Sequence, residues 1–531
     1  MVSRETLPRY ATRSSETNTI GMEFDSKLLA DVVQVGGEGE KHEGRDPRIQ
    51  LLGEEGQVAV TLAGRPPELR RHRLPTVVRG RTLTIMEVTR KVSGSSTKQP
   101  MPLTSLALLR SELKATYGLT ARVQPLDLQD WQKNSMRQIM RPMLLVAQCF
   151  ALCPVQGVTS SNVHDLRFSW RSARVVYSLV AALCMLVFVV LSFIFYLRGH
   201  FNFETSGSLV FYLLGFLCCV VFLRLAGRWP QLEKVWQQVE QEQISYRCPQ
   251  HLHLKIKLTM TATLIVALLE HLLAKYTVLS EVAACSRSYA DTIRRYYLQD
   301  YQHVFLFVRF SFPVAVLSEI INIFASFYWN FIDLFVAIVS IALSSRFSML
   351  NKHLASASGK LRPELFWKAA REDYNRLSGL TKLLDSCVSG MVLLSFATNM
   401  IFICQQLYNT LRRSVSTTKL IYFFVSFGYM LFRTMLVSIC AADIYEESRA
   451  ARTFLYSVPS ESYKLEVHRF LVQISTDTVA LTGLRFFTVT RTLLLTLGGT
   501  VVTYVVVMVQ FSTNSDEQYM NTTDICHDIS D

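Results

Sequence analysis

The stretch Thr503–Phe511 reads Thr-Tyr-Val-Val-Val-Met-Val-Gln-Phe, and it closes the last apolar segment of the chain. The residues after it are mostly polar and include no Lys or Arg. This pattern is typical of a membrane helix that ends beside an acidic tail. The amide of Gln510 would be costly in lipid unless it met a polar partner or water. A water-filled channel on a symmetry axis would supply both, so the segment favours a pore-lining helix.

The composition of the whole chain indicates an integral membrane protein. Hydrophobic residues make up 50% of the 531 residues and charged residues only 18%, whereas soluble domains average about 25% charged. The apolar residues form long blocks of roughly the 20 residues that a membrane-crossing helix needs. We therefore predict an all-α protein with seven transmembrane helices. The predicted spans are Val175–Leu197, Gly207–Ala226, Lys257–Ala274, Val316–Leu343, Val388–Leu407, Leu420–Ala442 and Leu484–Phe511.

The remaining segments complete a predicted domain organisation. Residues 1–132 are polar and predict a mostly disordered cytosolic extension, with a small folded unit as the alternative. Residues 133–174 predict juxtamembrane helices, because Met140–Cys153 is apolar but too short to span. Spans one to six are predicted at residues 175–443 and helices of a cytosolic anchor at 444–483. The pore helix is predicted at residues 484–511 and an outer tail at 512–531. The apolar block from Val304 is too long for one helix, and Pro313 marks the predicted break before the fourth span.

The distribution of Lys and Arg predicts the orientation. Basic residues cluster before the first span and in the even-numbered loops, and the fourth loop carries eight of them between Arg346 and Lys382. Such loops stay in the cytosol. The N-terminus is therefore predicted inside and the C-terminus outside. Arg412, Arg413 and Lys419, in a predicted outer loop, are the exception.

The fourth predicted span carries a polar stripe beside Trp329. Its members recur every three or four positions, so they share one helix face. They are Glu319, Asn322, Ser326, Asn330 and Asp333. Ionisable residues inside a membrane helix are expensive and usually functional, so we predict that this face binds a ligand. The alternative is interhelical packing, in which Asn and Ser bond across helices and Asp333 pairs with an Arg.

Two further spans present polar residues at the same predicted depth. The third span carries Glu270 and His271, and the fifth carries Asn399 and Gln406, all in their outer halves. Together with Trp329 they would offer carboxylates, amides, an imidazole and an aromatic wall. Sugars need that combination, because their hydroxyls pair with such groups and their C–H faces stack on aromatic rings. We therefore predict an extracellular sugar pocket, with helix packing as the alternative for His271.

Other function classes find little support in the sequence. Most of the 11 Cys residues lie in apolar segments, and spacing alone does not pair Cys285 with Cys526 on the predicted outer side. The sequence shows no metal-ligand spacing, phosphate-binding loop or nucleophile elbow, so we predict no enzyme, no metal and no cofactor. The net charge of +13 fits loops beside anionic lipid and does not suggest nucleic acid. Asn521 begins an N-glycosylation sequon in the predicted outer tail.

Particular segments between Met136 and Phe511 carry a family resemblance. They are Arg141–Phe150, Pro154–Val158, Trp170–Ser172, Ala267–His271, Trp329–Phe335, Leu484–Arg491, Gly498–Thr500 and the ending Thr503–Phe511. With these segments the chain resembles the insect gustatory receptors, whose C-terminal signature the ending matches. The segments at Glu270 and Trp329 resemble the sugar-sensing branch. One departure is Val505-Val506, where sugar receptors often carry an acidic residue, and this leaves ion preference open.

The resemblance implies a homo- or heterotetrameric cation channel, gated by a mono- or disaccharide, in the plasma membrane of taste neurons. Its seventh helices would line one central pore. Thr503, Tyr504, Gln510 and Phe511 are then the candidate pore and gate residues, because a narrow apolar ring gates by dewetting. Packing between helices is the alternative for Gln510 and Phe511. A G-protein-coupled receptor and a sugar transporter are the alternative functions, and the former requires an outside N-terminus.

Overall fold

The computed structural model describes residues 131–160, 162–198, 206–246, 251–286, 288–412 and 417–512. Most of the predicted N-terminal extension lies outside these residues, and only Trp131 and Gln132 of it are described. The predicted outer tail, with Asn521, also lies outside them, except for Ser512 at the end of the last helix. The described chain is helical. Its helices are α1 Met136–Cys149, α2 Ala173–Arg198, α3 Ser206–Glu242, α4 Leu252–Cys285, α5 Tyr289–Asp300, α6 Gln302–Phe305, α7 Phe312–Ala357, α8 Glu364–Arg412, α9 Thr417–Tyr456, α10 Leu465–Thr476 and α11 Arg491–Ser512.

Six helices in the described residues are long and apolar enough to cross a membrane. They are α2, α3, α4, α7, α8 and α9, and each contains one predicted span. The seventh predicted span starts later than expected, because α11 begins at Arg491 and not at Leu484. Leu484 and Arg485 have positive φ angles of 48° and 64°, which a right-handed helix does not allow. They belong instead to a turn closed by a bridge between Thr482 and Thr488.

Helix α7 is the central helix of the bundle and contacts α3, α4, α8 and α9. Every residue from 330 to 343 is buried, as expected for a helix that other helices surround on all sides. Pro313 lies in its first turn, where a missing N–H costs nothing. The predicted break at Pro313 is therefore where α7 begins. Gly359, with a φ of +70°, follows its other end, as is common after a helix.

Helices α3, α7, α8 and α9 extend well beyond their predicted spans at the Arg-rich end of the bundle, which we name the basic end. There the buried guanidinium of Arg346 on α7 donates to Glu240 of α3 at 2.7 Å and to the carbonyl of Asn134 at 2.6 Å. A buried charge needs such compensation. These bonds therefore fix α3, α7 and the segment before α1 relative to one another.

The predicted anchor region, residues 444–483, is only partly a separate unit. Helix α9 continues through the first part of it to Tyr456, and α10 then covers Leu465–Thr476. Arg371 of α8 donates to Glu466 at 2.8 Å. This bond holds the pKa of the Glu466 carboxyl below its ordinary value, so α10 is attached to α8 through a charged pair.

Candidate functional site

A buried arginine lies where α7, α8 and α9 meet. The side chain of Arg433 on α9 is only 2% exposed. Its Nη1 donates to Asn330 Oδ1 at 2.8 Å, and its Nη2 donates to Asn399 Oδ1 at 2.7 Å. Its Nε lies 2.8 Å from Asp333 Oδ2, and Asn399 Nδ2 donates to the same oxygen at 2.9 Å. One guanidinium thus joins residues of three helices.

The ring of Trp329 covers this arginine. The guanidinium carbon of Arg433 lies 4.3 Å from the centre of the Trp329 ring, a cation–π contact. On α8, Phe402 packs against the same indole with ring centres 4.7 Å apart. The arrangement combines a cation, a carboxylate, two amides and an aromatic face within one buried site.

A second group of bonds extends the site towards α4. Glu270 accepts from Ser426 Oγ at 2.8 Å and from the Tyr422 hydroxyl at 3.3 Å. Gln406 Nε2 donates to Ser426 Oγ at 2.9 Å, and Tyr429 donates to Asn330 Oδ1 at 2.9 Å. Four helices therefore share one set of polar contacts. We name it the inner network, and its members are Glu270, Trp329, Asn330, Asp333, Asn399, Gln406, Tyr422, Ser426, Tyr429 and Arg433.

Among the buried polar atoms of the inner network that make no hydrogen bond within the described part of the chain are the indole N–H of Trp329 and Oδ1 of Asp333. An unpaired buried donor or acceptor is costly. A hydroxyl group both donates and accepts, so the chemistry of this pair of atoms suits a polyhydroxylated ligand.

The other predicted pocket residues lie in a separate group. Lys275 Nζ is 2.7 Å from Asp300 Oδ2 and 3.2 Å from Glu319 Oε1. The Tyr301 hydroxyl donates to Glu319 Oε2 at 2.7 Å. His271 is half-buried and lies four residues before Lys275 on α4, on the same face of that helix. We name His271, Lys275, Asp300, Tyr301 and Glu319 the outer cluster.

The single pocket predicted from the sequence is therefore divided in two. Glu319 and His271 belong to the outer cluster, where Lys275 compensates the carboxylates. Asn322 faces α3 instead, and its Nδ2 donates to the Tyr212 hydroxyl at 3.4 Å. Glu270, Trp329, Asn330, Asp333, Asn399 and Gln406 lie together in the inner network.

The contribution of the sixth span was not predicted from the sequence. Tyr422, Ser426, Tyr429 and Arg433 follow one another at intervals of four, three and four residues, so one face of α9 presents them all. The same spacing rule that identified the stripe on the fourth span would have found them. An arginine within an otherwise apolar helix was the clearest signal.

The candidate pore residues lie on α11, which contacts α8 and α9. Thr503 and the half-buried Tyr504 line a surface recess together with Thr496, Gly499, Thr500 and Val507. The Thr503 hydroxyl donates to the carbonyl of Gly499 at 2.9 Å. Gln510 is exposed. The backbone of Phe511 continues α11, but its side chain lies outside the described part.

Two remaining expectations concern metals and disulfides. Among the described residues, no group of three or more His, Cys, Asp or Glu side chains is arranged to hold a metal ion. Cys285, at the end of α4, is disulfide-bonded. Cys526 lies outside the described residues.

The helical bundle has the fold of an insect chemoreceptor. It resembles the solved insect olfactory receptor OR5 from Machilis hrabei with a TM-score of 0.53, covering 71% of this chain and 98% of that one. The structure of the same receptor in complex with eugenol gives a TM-score of 0.52. Sequence identity is 15% in both cases, so this likeness concerns the fold alone.

Sequence comparisons specify the family within that fold. The sequence model of the trehalose receptor family matches residues 99–521. Gustatory receptor for sugar taste 64f of Drosophila melanogaster is 34% identical over 72% of this chain and 82% of its own length. Gustatory receptor 5a for trehalose, from the same organism, is 32% identical over 71% of this chain and 85% of its own length. The chain belongs to the trehalose receptor family of insect gustatory receptors, as the resemblance predicted, and is a multi-pass membrane protein.

Proposed function

We propose that this chain is a subunit of a sugar-gated cation channel in the plasma membrane of taste neurons. The observation that carries the proposal is the inner network, a buried polar site with an aromatic face between four membrane helices. The family membership of the chain supports a sugar as the ligand, because the similar receptors are named for sugar taste and trehalose. The network supplies the groups that a mono- or disaccharide requires.

The inner network explains how binding would alter the bundle. Most of its donors and acceptors already pair with one another, so a sugar enters by exchanging its hydroxyls for these internal bonds. Arg433 holds Asn330 of α7 and Asn399 of α8 at once. A hydroxyl that takes over either bond releases one helix from another. Sugar and helix arrangement are then linked, because the ligand stabilises the arrangement in which it replaces those bonds.

Helix α11 is the proposed pore lining of a homo- or heterotetramer. It carries no charged residue after Arg491, and in a symmetric assembly its side chains repeat around one axis. A ring of Phe511 side chains would close such a pore by dewetting, with Gln510 as the neighbouring amide. The Lys and Arg distribution supports a cytosolic N-terminus and an extracellular C-terminus.

Heterologous expression in cells without sugar receptors tests this function. Trehalose, sucrose, maltose, glucose and fructose are applied in turn, with mannitol as the osmotic control, while whole-cell current and calcium entry are recorded. We expect at least one sugar to evoke a cation current that mannitol does not. Sugar uptake without current would indicate a transporter. A response that requires G proteins, with an N-terminal epitope labelled on intact cells, would indicate a G-protein-coupled receptor.

A further inference from the structure

The chain between α10 and α11 makes a strained turn. In residues 481–489, which we name the α10–α11 turn, Val489 N donates to the Leu481 carbonyl at 2.9 Å and Gly483 N donates to the Phe487 carbonyl at 3.0 Å. Its tip contains two residues with positive φ, Leu484 and Arg485. Residues other than glycine rarely adopt that conformation, and it persists only where the surroundings enforce it.

A carboxylate of α8 holds this turn in place. Asp385 Oδ1 accepts from the backbone N–H of Thr482 at 2.6 Å, and Asp385 Oδ2 accepts from the Thr482 hydroxyl at 3.0 Å. The same hydroxyl oxygen accepts from the backbone N–H of Arg485 at 3.2 Å. Asp385 is thus connected through one hydroxyl group to a strained residue of the turn.

Two apolar contacts also join α8 to the turn. The rings of Phe396 and Phe487 meet edge to face with their centres 5.6 Å apart. At Gly390, an added Cβ would lie 4.0 Å from Leu484 Cδ2, so the Leu484 side chain packs over this glycine. Because α8 is one uninterrupted helix, it contacts the turn over about three helical turns.

The helices that hold the start of α11 also carry the inner network. Asn399, which accepts from Arg433 at 2.7 Å, follows Phe396 on α8 by less than one helical turn. On α9, Asp443 Oδ1 lies 3.4 Å from Arg491 Nη2, at the first residue of α11. One partner of the Arg433–Asn399 bond therefore belongs to the helix that contacts the α10–α11 turn, and the other belongs to the helix that contacts the first residue of α11.

We propose that the α10–α11 turn couples the inner network to α11, and that Thr482 is the positioning residue of this coupling. The proposal rests on the proposed function, since it requires a sugar-gated pore. Asn399 and Asp385 are 14 residues apart on α8, or about 21 Å along a rigid helix. A displacement of α8 caused by sugar at Asn399 reaches the turn through the Asp385–Thr482 bonds. Without the Thr482 hydroxyl, sugar still binds but opens the pore less.

Thr482→Val and Thr482→Ser form the matched pair that tests this coupling. Valine keeps the branched shape and the backbone N–H but has no hydroxyl, whereas serine keeps the hydroxyl. The full-length receptor is expressed, its amount at the cell surface is measured, and the maximal sugar-evoked current is recorded. Sugar binding is followed separately, as the rise in the thermal unfolding midpoint of detergent-purified receptor with increasing trehalose, or with whichever sugar is most active.

We expect Thr482→Val to lower the maximal current per surface receptor roughly tenfold, as loss of a hydrogen bond to a charged group would. Its sugar concentration for half-maximal thermal stabilisation should stay within about twofold of wild type. Thr482→Ser should behave as wild type. Asp385→Asn, which keeps the shape of the carboxylate, should reproduce the loss of current without loss of binding.

Three results would overturn the proposal, and they are distinguishable. A wild-type maximal current in Thr482→Val means that the hydroxyl does not transmit the signal. A parallel loss of sugar binding or of surface receptor in Thr482→Val and Asp385→Asn means that the turn serves folding alone. A wild-type receptor that binds sugar and carries no current removes the proposed function itself, and the coupling with it.

Discussion

The inner network and the outer cluster contain similar groups in different surroundings. In the inner network the side chains of Arg433 and Asp333 are each 2% exposed. In the outer cluster Lys275 and Glu319 are 18% and 23% exposed. Water can replace a lost partner in the second case but not in the first. The comparison shows that burial, more than residue type, decides how strongly each group depends on its partner.

The same difference bears on ligand binding. Under the proposed function, a sugar that enters the inner network would have to replace every bond that it breaks, so its binding would depend on its hydroxyl pattern. In the outer cluster, water competes for the same groups. There the ion pair between Lys275 and Asp300 attaches the α5–α6 segment to α4, and the hydrogen bond from Tyr301 to Glu319 attaches it to α7. We therefore propose that the outer cluster stabilises the position of the α5–α6 segment and that the inner network is the site that binds sugar specifically.

The largest expected effect is that of Arg433→Met. The substitution leaves the Asp333 carboxylate buried without its cation and removes the N–H groups of Arg433 that donate to Asn330 and Asn399. Breaking a buried pair in this way costs about 3–5 kcal/mol, so the thermal unfolding midpoint in detergent and the amount of surface receptor should both fall sharply.

Two companion variants control this prediction. Arg433→Lys keeps the charge but not the planar fork, and it should fall between wild type and Arg433→Met. Combining Arg433→Met with Asp333→Leu removes both charges, and it should recover much of the lost stability. A stability near wild type for Arg433→Met alone would show that the buried groups of the inner network do not depend on Arg433 as their partner.

A smaller effect is expected for Lys275→Met in the outer cluster. Its ion pairs with Asp300 and Glu319 are partly hydrated, and such pairs contribute about 0–1 kcal/mol each. The free energy of unfolding should therefore fall by about 2 kcal/mol or less, measured as for Arg433→Met. A loss as large as that of Arg433→Met would contradict the distinction between the two regions.

The sequence predicted the helical fold and much of the inner network for identifiable reasons. Long apolar blocks fix the helices, and intervals of three or four residues identify the face of α7 that carries Asn330 and Asp333. Periodicity shows which residues share a helix face but not which residues of other helices contact that face. It therefore did not show that Glu319 and Asp333 belong to different groups of contacts. The start of α11 was misplaced because Leu484 and Arg485, unlike glycine, give no sign of a turn with positive φ.

The central claim is that sugar binds the inner network and not the outer cluster. The measurement that tests it most directly is the sugar concentration for half-maximal current in Trp329→Ala and Glu319→Gln, compared at equal surface expression. We predict an increase of about ten- to a hundredfold for Trp329→Ala, the equivalent of about 1–3 kcal/mol, and a change within about threefold for Glu319→Gln. An unchanged value for Trp329→Ala, or a larger increase for Glu319→Gln, would contradict it.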